Sequence, residues 1–110
     1  MVVVGADTRD AFVGIAAGDV EVLASAVGLR EANRESSGLD GRTFALVKIA
    51  ALIALDAPPS SYTWQVANAL EEGVTPEDLL GVLRAVAPQV GGPRVMAAAP
   101  EIMEAMGLAR

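Results

Sequence analysis

The stretch Ser60–Pro93, SSYTWQVANALEEGVTPEDLLGVLRAVAPQVGGP, reads as two helices joined by a capped turn, and it holds the only tyrosine and the only tryptophan of the chain. Gly73 is free to adopt the left-handed backbone that ends a helix, since it has no Cβ to clash. Thr75 then offers a hydroxyl to the unpaired N–H groups of a new helix. Pro76 falls at the first helical position, where its missing N–H costs nothing. Asp78 is placed to reach back in a capping box, and Val74 and Leu79 bracket the cap as a hydrophobic staple. Glu77 and Asp78 also set negative charge against the positive end of the helix dipole.

Upstream, Leu39-Asp40 repeats this logic, with Asp40 as cap and Leu39 and Phe44 as staple. The helix from Gly41 to about Leu55 is apolar almost all round, which predicts the buried centre of a bundle. Asp56-Ala57-Pro58-Pro59-Ser60 breaks it. Tyr62, Val66, Ala69 and Leu70 line one face of the next helix; Leu79, Leu80, Leu83, Val86 and Val90 do so for the one after. Pro88 lies inside that pattern and is expected to kink the helix and free the Arg84 carbonyl. Gly91-Gly92-Pro93 opens a last helix with Met96, Ile102, Met103 and Met106 apolar, interrupted or restarted at Pro100.

Toward the N-terminus, Met1–Ala6 reads as a loose tail. Asp7 or Thr8 caps a short helix carrying Phe12 and Ile15, with Gly18 past its end. Asp19 caps another that runs into the thirties, where Val22, Leu23, Ala26, Val27 and Arg30 share a face and Glu31 can pair with Arg34. Ser36-Ser37-Gly38 ends it. Val2–Val4 is the one strand-like run and is too short to matter. The expectation is a single all-α domain over residues 1–110, a bundle of about five to six helices.

Hydrophobic residues make up 53% of the chain, above the roughly 45–50% of ordinary soluble domains even before its 11 glycines are added. A small monomer cannot hide so much apolar surface, so a homo-oligomer is expected. Eight basic residues against 14 acidic ones leave a net charge of −6, which argues against nucleic acid as a partner. The chain has no cysteine and no histidine. The usual zinc ligands and the commonest general base are therefore missing, no acidic loop suggests another metal, and no cofactor is expected. With no signal-like start and no apolar run near 20 residues, neither membrane insertion nor export is expected, and a cytoplasmic location is.

The segments LDGRTFALVKIAALIAL (39–55), ALEEGVTPEDLLGVL (69–83) and VAPQVGGPRVMAAAP (86–100) resemble the carboxymuconolactone decarboxylase and alkylhydroperoxidase D-like family. The likeness covers about Leu39 to Leu108, and its most specific part is the segment around the Gly73 turn. It implies an all-helical subunit assembled as trimers or hexamers, with pockets near subunit contacts. The peroxidase branch carries Cys-x-x-Cys-x-x-x-His at the positions of Pro58, Ser61 and Gln65, and a glutamate at or beside Ala45. Thiol peroxidase chemistry requires a thiolate and a resolving partner, and this sequence supplies neither. The decarboxylase branch relies on a histidine in this region, and Gln65 cannot exchange a proton near neutral pH.

Ser61, Tyr62, Trp64 and Gln65 are then the candidate ligand-binding group, with Gln65 hydrogen-bonding a small polar ligand and the aromatics giving it a stacking surface; the partner expected in this mainly apolar pocket is a small apolar or lactone-like molecule. The plainer assignment is structural hydrogen bonding and packing. Lys48, the single charge in Phe44–Leu55, is a catalytic candidate, as base or Schiff-base nucleophile; an enzyme of the lactone decarboxylase type built from this chain would have to use Lys48, Tyr62 or a carboxylate. The plainer role of Lys48 is to snorkel to water or meet a carboxylate. Glu71 and Glu72 read as a solvated face. Met96, Met103 and Met106 read as adaptable apolar filler, able to line a cavity. A third possibility is a self-assembly protein with no ligand.

Overall fold

A computed structural model describes residues 1–17, 19 and 30–108. All secondary structure among them is helical: α1 (Ala6–Ala17), α2 (Arg30–Ser37), α3 (Gly41–Leu55), α4 (Pro59–Glu71), α5 (Pro76–Val90) and α6 (Gly92–Ala105). The chain divides into two compact units, Met1–Gly38 and Leu39–Arg110.

In the first unit α1 starts at Ala6, earlier than the sequence suggests. The Gly5 carbonyl accepts the first helical bond from Arg9 N–H at 3.0 Å, so Asp7 and Thr8 lie inside the first turn and cap nothing. Asp7 still faces the positive dipole end. Phe12 and Ile15 are exposed, and α1 contains no buried residue. The expected helix cap at Asp19 and the apolar face from Val22 to Val27 concern residues 20–29, outside the described ones. So does the Gly18 stop, and the Glu31 side chain is not described either. Gly38 ends α2 as expected, with φ +72° and its N–H on the Glu35 carbonyl at 3.3 Å.

The second unit is a four-helix bundle in which α3 and α6 each pack against both α4 and α5, with a lighter α3–α6 contact across the centre. Its core is formed by Ala45, Ile49 and Ile53 of α3, Tyr62, Val66 and Ala69 of α4, Val74 of the turn, Leu79 and Leu83 of α5, and Ala98 and Ile102 of α6. These sets recur at three- and four-residue spacing, so each helix offers one stripe. Leu70 and Leu80 follow Ala69 and Leu79 by one residue, about 100° round the helix, and are half exposed or nearly so rather than buried. Met96 is two residues from Ala98, on the opposite side of α6, and is exposed.

The helix ends follow the local chemistry. Asp40 caps α3 by accepting from Thr43 N–H at 2.7 Å. At α5 the capping box is complete: Asp78 N–H donates to Thr75 Oγ1 at 3.1 Å, and Thr75 N–H donates to Asp78 Oδ2 at 2.9 Å. Asp78 Oδ1 also meets Arg42 Nη2 at 2.7 Å, tying the start of α5 to the start of α3. α4 ends in a Schellman motif, with Val74 N–H on the Ala69 carbonyl at 3.0 Å and Gly73, at φ +85°, on the Leu70 carbonyl at 3.1 Å. α5 and α6 are joined through Gly91 alone, at φ 86° and ψ 161°, a region essentially closed to other residues. α5 continues through Pro88 and α6 runs unbroken through Pro100, contrary to the restart expected there. Each proline forfeits one backbone bond, to the Arg84 and Met96 carbonyls respectively.

The one substantial departure concerns α3. Its buried residues are Gly41, Ala45, Ile49 and Ile53, all on one side. Val47, Ala51, Ala54 and Leu55, on the opposite side, are exposed although equally apolar. α3 is half buried in the bundle and is not the enclosed centre that its composition predicts.

Candidate functional site

The four predicted site residues occupy the first two turns of α4, whose backbone is set by Pro58 in extended conformation and Pro59 at the first helical position. Helical geometry then distributes them. Ser61 and Gln65, four residues apart, lie together on a half-buried border of the helix. Tyr62 turns inward and is 2% exposed, in the core beside Val66. Trp64, two residues on and about 200° round, turns outward and is 72% exposed. Tyr62 and Trp64 therefore do not form one aromatic wall. Burial pushes the Tyr62 phenol above its usual pKa, and the charges of Asp56 and Glu101 raise it further. It stays protonated across the physiological range, a potential donor rather than a base.

Lys48 lies on α3, half buried, with its Nζ over the Phe44 ring at 5.2 Å from the centroid. That is the arrangement of an amphipathic side chain with its stem on apolar surface and its charge against a π-face. Ala45, at or beside which the resemblance puts the family's glutamate, is buried in the core.

The sequence reading passed over a groove between α5 and α6. It holds about 320 Å³ and lies over Leu79, Leu83 and Ile102, with Leu80, Met103 and Met106 at its sides. Leu108 is part of the lining, held by its N–H on the Met103 carbonyl at 2.8 Å, and Glu77 is the one charged residue there. Met103 and Met106 do line this groove; Met96 is not among its lining residues. The available signal was the pair Leu79-Leu80: two adjacent leucines cannot both face one core, so one of them must serve another surface.

A model of the carboxymuconolactone decarboxylase family matches residues 21–105. The chain belongs to this family. No curated protein and no solved structure matches it. The family match starts upstream of Leu39, where the resemblance in the quoted segments begins. The chain has no cysteine, so a thiol-dependent peroxidase mechanism has no nucleophile here. Among the described residues no helix is long and apolar enough to cross a membrane.

Proposed function

We propose that this member of the carboxymuconolactone decarboxylase family acts without thiol chemistry, as a homo-oligomer holding a small apolar or lactone-like molecule where subunits meet, beside Ser61 and Gln65. One observation carries the reading: the bundle is apolar on both sides of α3 and presents Trp64 to solvent, 72% exposed. Large apolar side chains left on the surface in this number point to an interaction site. Ser61 and Gln65 lie at the border of the outward face of α4, so a second subunit covering Trp64 would enclose both. Their hydroxyl and amide supply the few polar contacts that orient a ligand in a mainly apolar pocket. The reading assigns no chemical step to Lys48.

Light scattering on the purified chain tests assembly, and a compact monomer at micromolar concentration overturns it. Titration with a panel of uncharged lactones, followed by Trp64 emission and melting temperature, tests the ligand. The expected result is a saturable change that is lost in Gln65→Ala with the oligomer preserved. A flat response across the panel counts against a ligand site.

A further inference from the structure

Trp64 and the α5–α6 groove lie on different faces of the bundle, since α4 and α5 are the helices that α3 and α6 separate. Their chemistry matches. An apolar cavity of about 150 Å³ takes a benzene ring, so a groove of about 320 Å³ has room for the two-ring indole. The indole Nε1–H requires an acceptor when it is buried, and the Glu77 carboxylate is the one charged group of the lining. The surroundings match as well. Trp64 and Glu71 are seven residues apart on one exposed face of α4; Glu77 and Arg84 have the same spacing on one exposed face of α5. Laid parallel, α4 of one copy and α5 of another set Trp64 against Glu77 and Leu80, and Glu71 against Arg84. Neither Glu71 nor Arg84 has an ion pair among the described residues. Between these anchors stand Ala67 and Gly81, and a Cβ built on Gly81 meets nothing within 4 Å. The two backbones have room to approach.

From this we infer that Trp64 of one subunit inserts into the α5–α6 groove of a second copy of this chain. The contact joins two different patches, so repetition closes into a ring if the rotation permits. This rests on the homo-oligomer reading above and names its interface.

The test uses the full chain. In the wild-type assembly Trp64 emission is expected to be blue-shifted and protected from acrylamide, and to shift red on dilution to monomer. Trp64→Ala and Leu80→Glu, both at exposed positions, are each expected to dissociate the assembly while keeping the melting transition of a folded monomer. Mixed together they are expected to form a one-to-one heterodimer, because one retains the groove and the other the indole. Glu71→Arg alone should weaken assembly about fivefold, and Glu71→Arg with Arg84→Glu should restore it. Several results overturn the inference: an oligomer whose Trp64 remains quenchable, variants that still assemble, no heterodimer on mixing, or wild-type assembly that binds N-phenyl-1-naphthylamine in an open groove. An oligomer with exposed Trp64 removes this contact and leaves the assembly reading standing; a wild-type monomer removes both.

Discussion

The two faces of α3 are alike in composition and opposite in fate. Ile49 and Ile53 have no exposure at all, whereas Val47 is 54% and Leu55 74% exposed. α4 repeats the contrast with Tyr62 inside and Trp64 outside. Hydrophobicity alone does not say which side of such a helix meets its own chain. The inner face has neighbours at three- and four-residue spacing on α4, α5 and α6, while the outer face has the same side-chain chemistry with no helix of the bundle over it. A helix apolar all round in a small bundle therefore has one face for its own core and a second that, on the reading proposed above, meets another copy.

The sharpest way to break this contrast lies on α4. Tyr62→Ala is expected to cost about 3–5 kcal/mol of subunit stability in urea unfolding, as for other large buried aromatics. Trp64→Ala, measured on the dissociated subunit, is expected to stay within about 0.5 kcal/mol. Equal costs would show that the outward face is covered within the subunit. On α3, Ile53→Ala is expected to cost about 2–5 kcal/mol and Leu55→Ala almost nothing under the same conditions, with the Leu55 variant shifting the concentration at which the proposed homo-oligomer dissociates.

Smaller effects belong to the backbone where those faces end. α3 and α4 stop in the same way, with the N–H after the cap on the carbonyl five residues back: Ala57 to Leu52 at 3.1 Å, and Val74 to Ala69 at 3.0 Å. Gly73 suits the left-handed position in α4, but α3 places Asp56 there, at φ 54°. Asp56→Gly should therefore stabilise the subunit by up to about 1 kcal/mol, read as a higher urea midpoint with an unchanged slope. The smallest effect is electrostatic and independent of either face. The Thr75 N–H, helped by Arg42 and the Thr75 hydroxyl, holds the Asp78 carboxyl below its usual range. A lowered folded-state pKa contributes stability above the ordinary value near 4, lost as pH falls toward the folded one. Unfolding midpoints from pH 5 down to pH 2 should fall in the wild type, and Asp78→Asn should remove part of that dependence.

Much of this architecture was legible before any coordinates. The capping box at Thr75–Asp78, the Gly73 stop and the Asp40 cap are contacts between residues within a few positions of one another, so spacing and residue type suffice. The first turn of α1 was misplaced because Gly5 supplies the opening carbonyl, a role any backbone can fill and no side chain announces. Of the candidate site, the positions Ser61, Tyr62, Trp64 and Gln65 were visible, but their separation into inner, border and outer residues follows from the angle at which α4 packs on α3 and α6. The groove was hidden for the same reason: Leu80, Met103 and Leu108 come together only when α5 and α6 are packed.

What the order of residues determined by itself is the helical class, most of the helix boundaries in the second unit and the absence of thiol and imidazole chemistry, since these depend on local bonding and on which atoms exist. Only the tertiary structure decided which half of the apolar surface became core. Burial belongs to the spatial meeting of segments distant along the chain, and a helix that is greasy on every side carries no mark of which side will meet them.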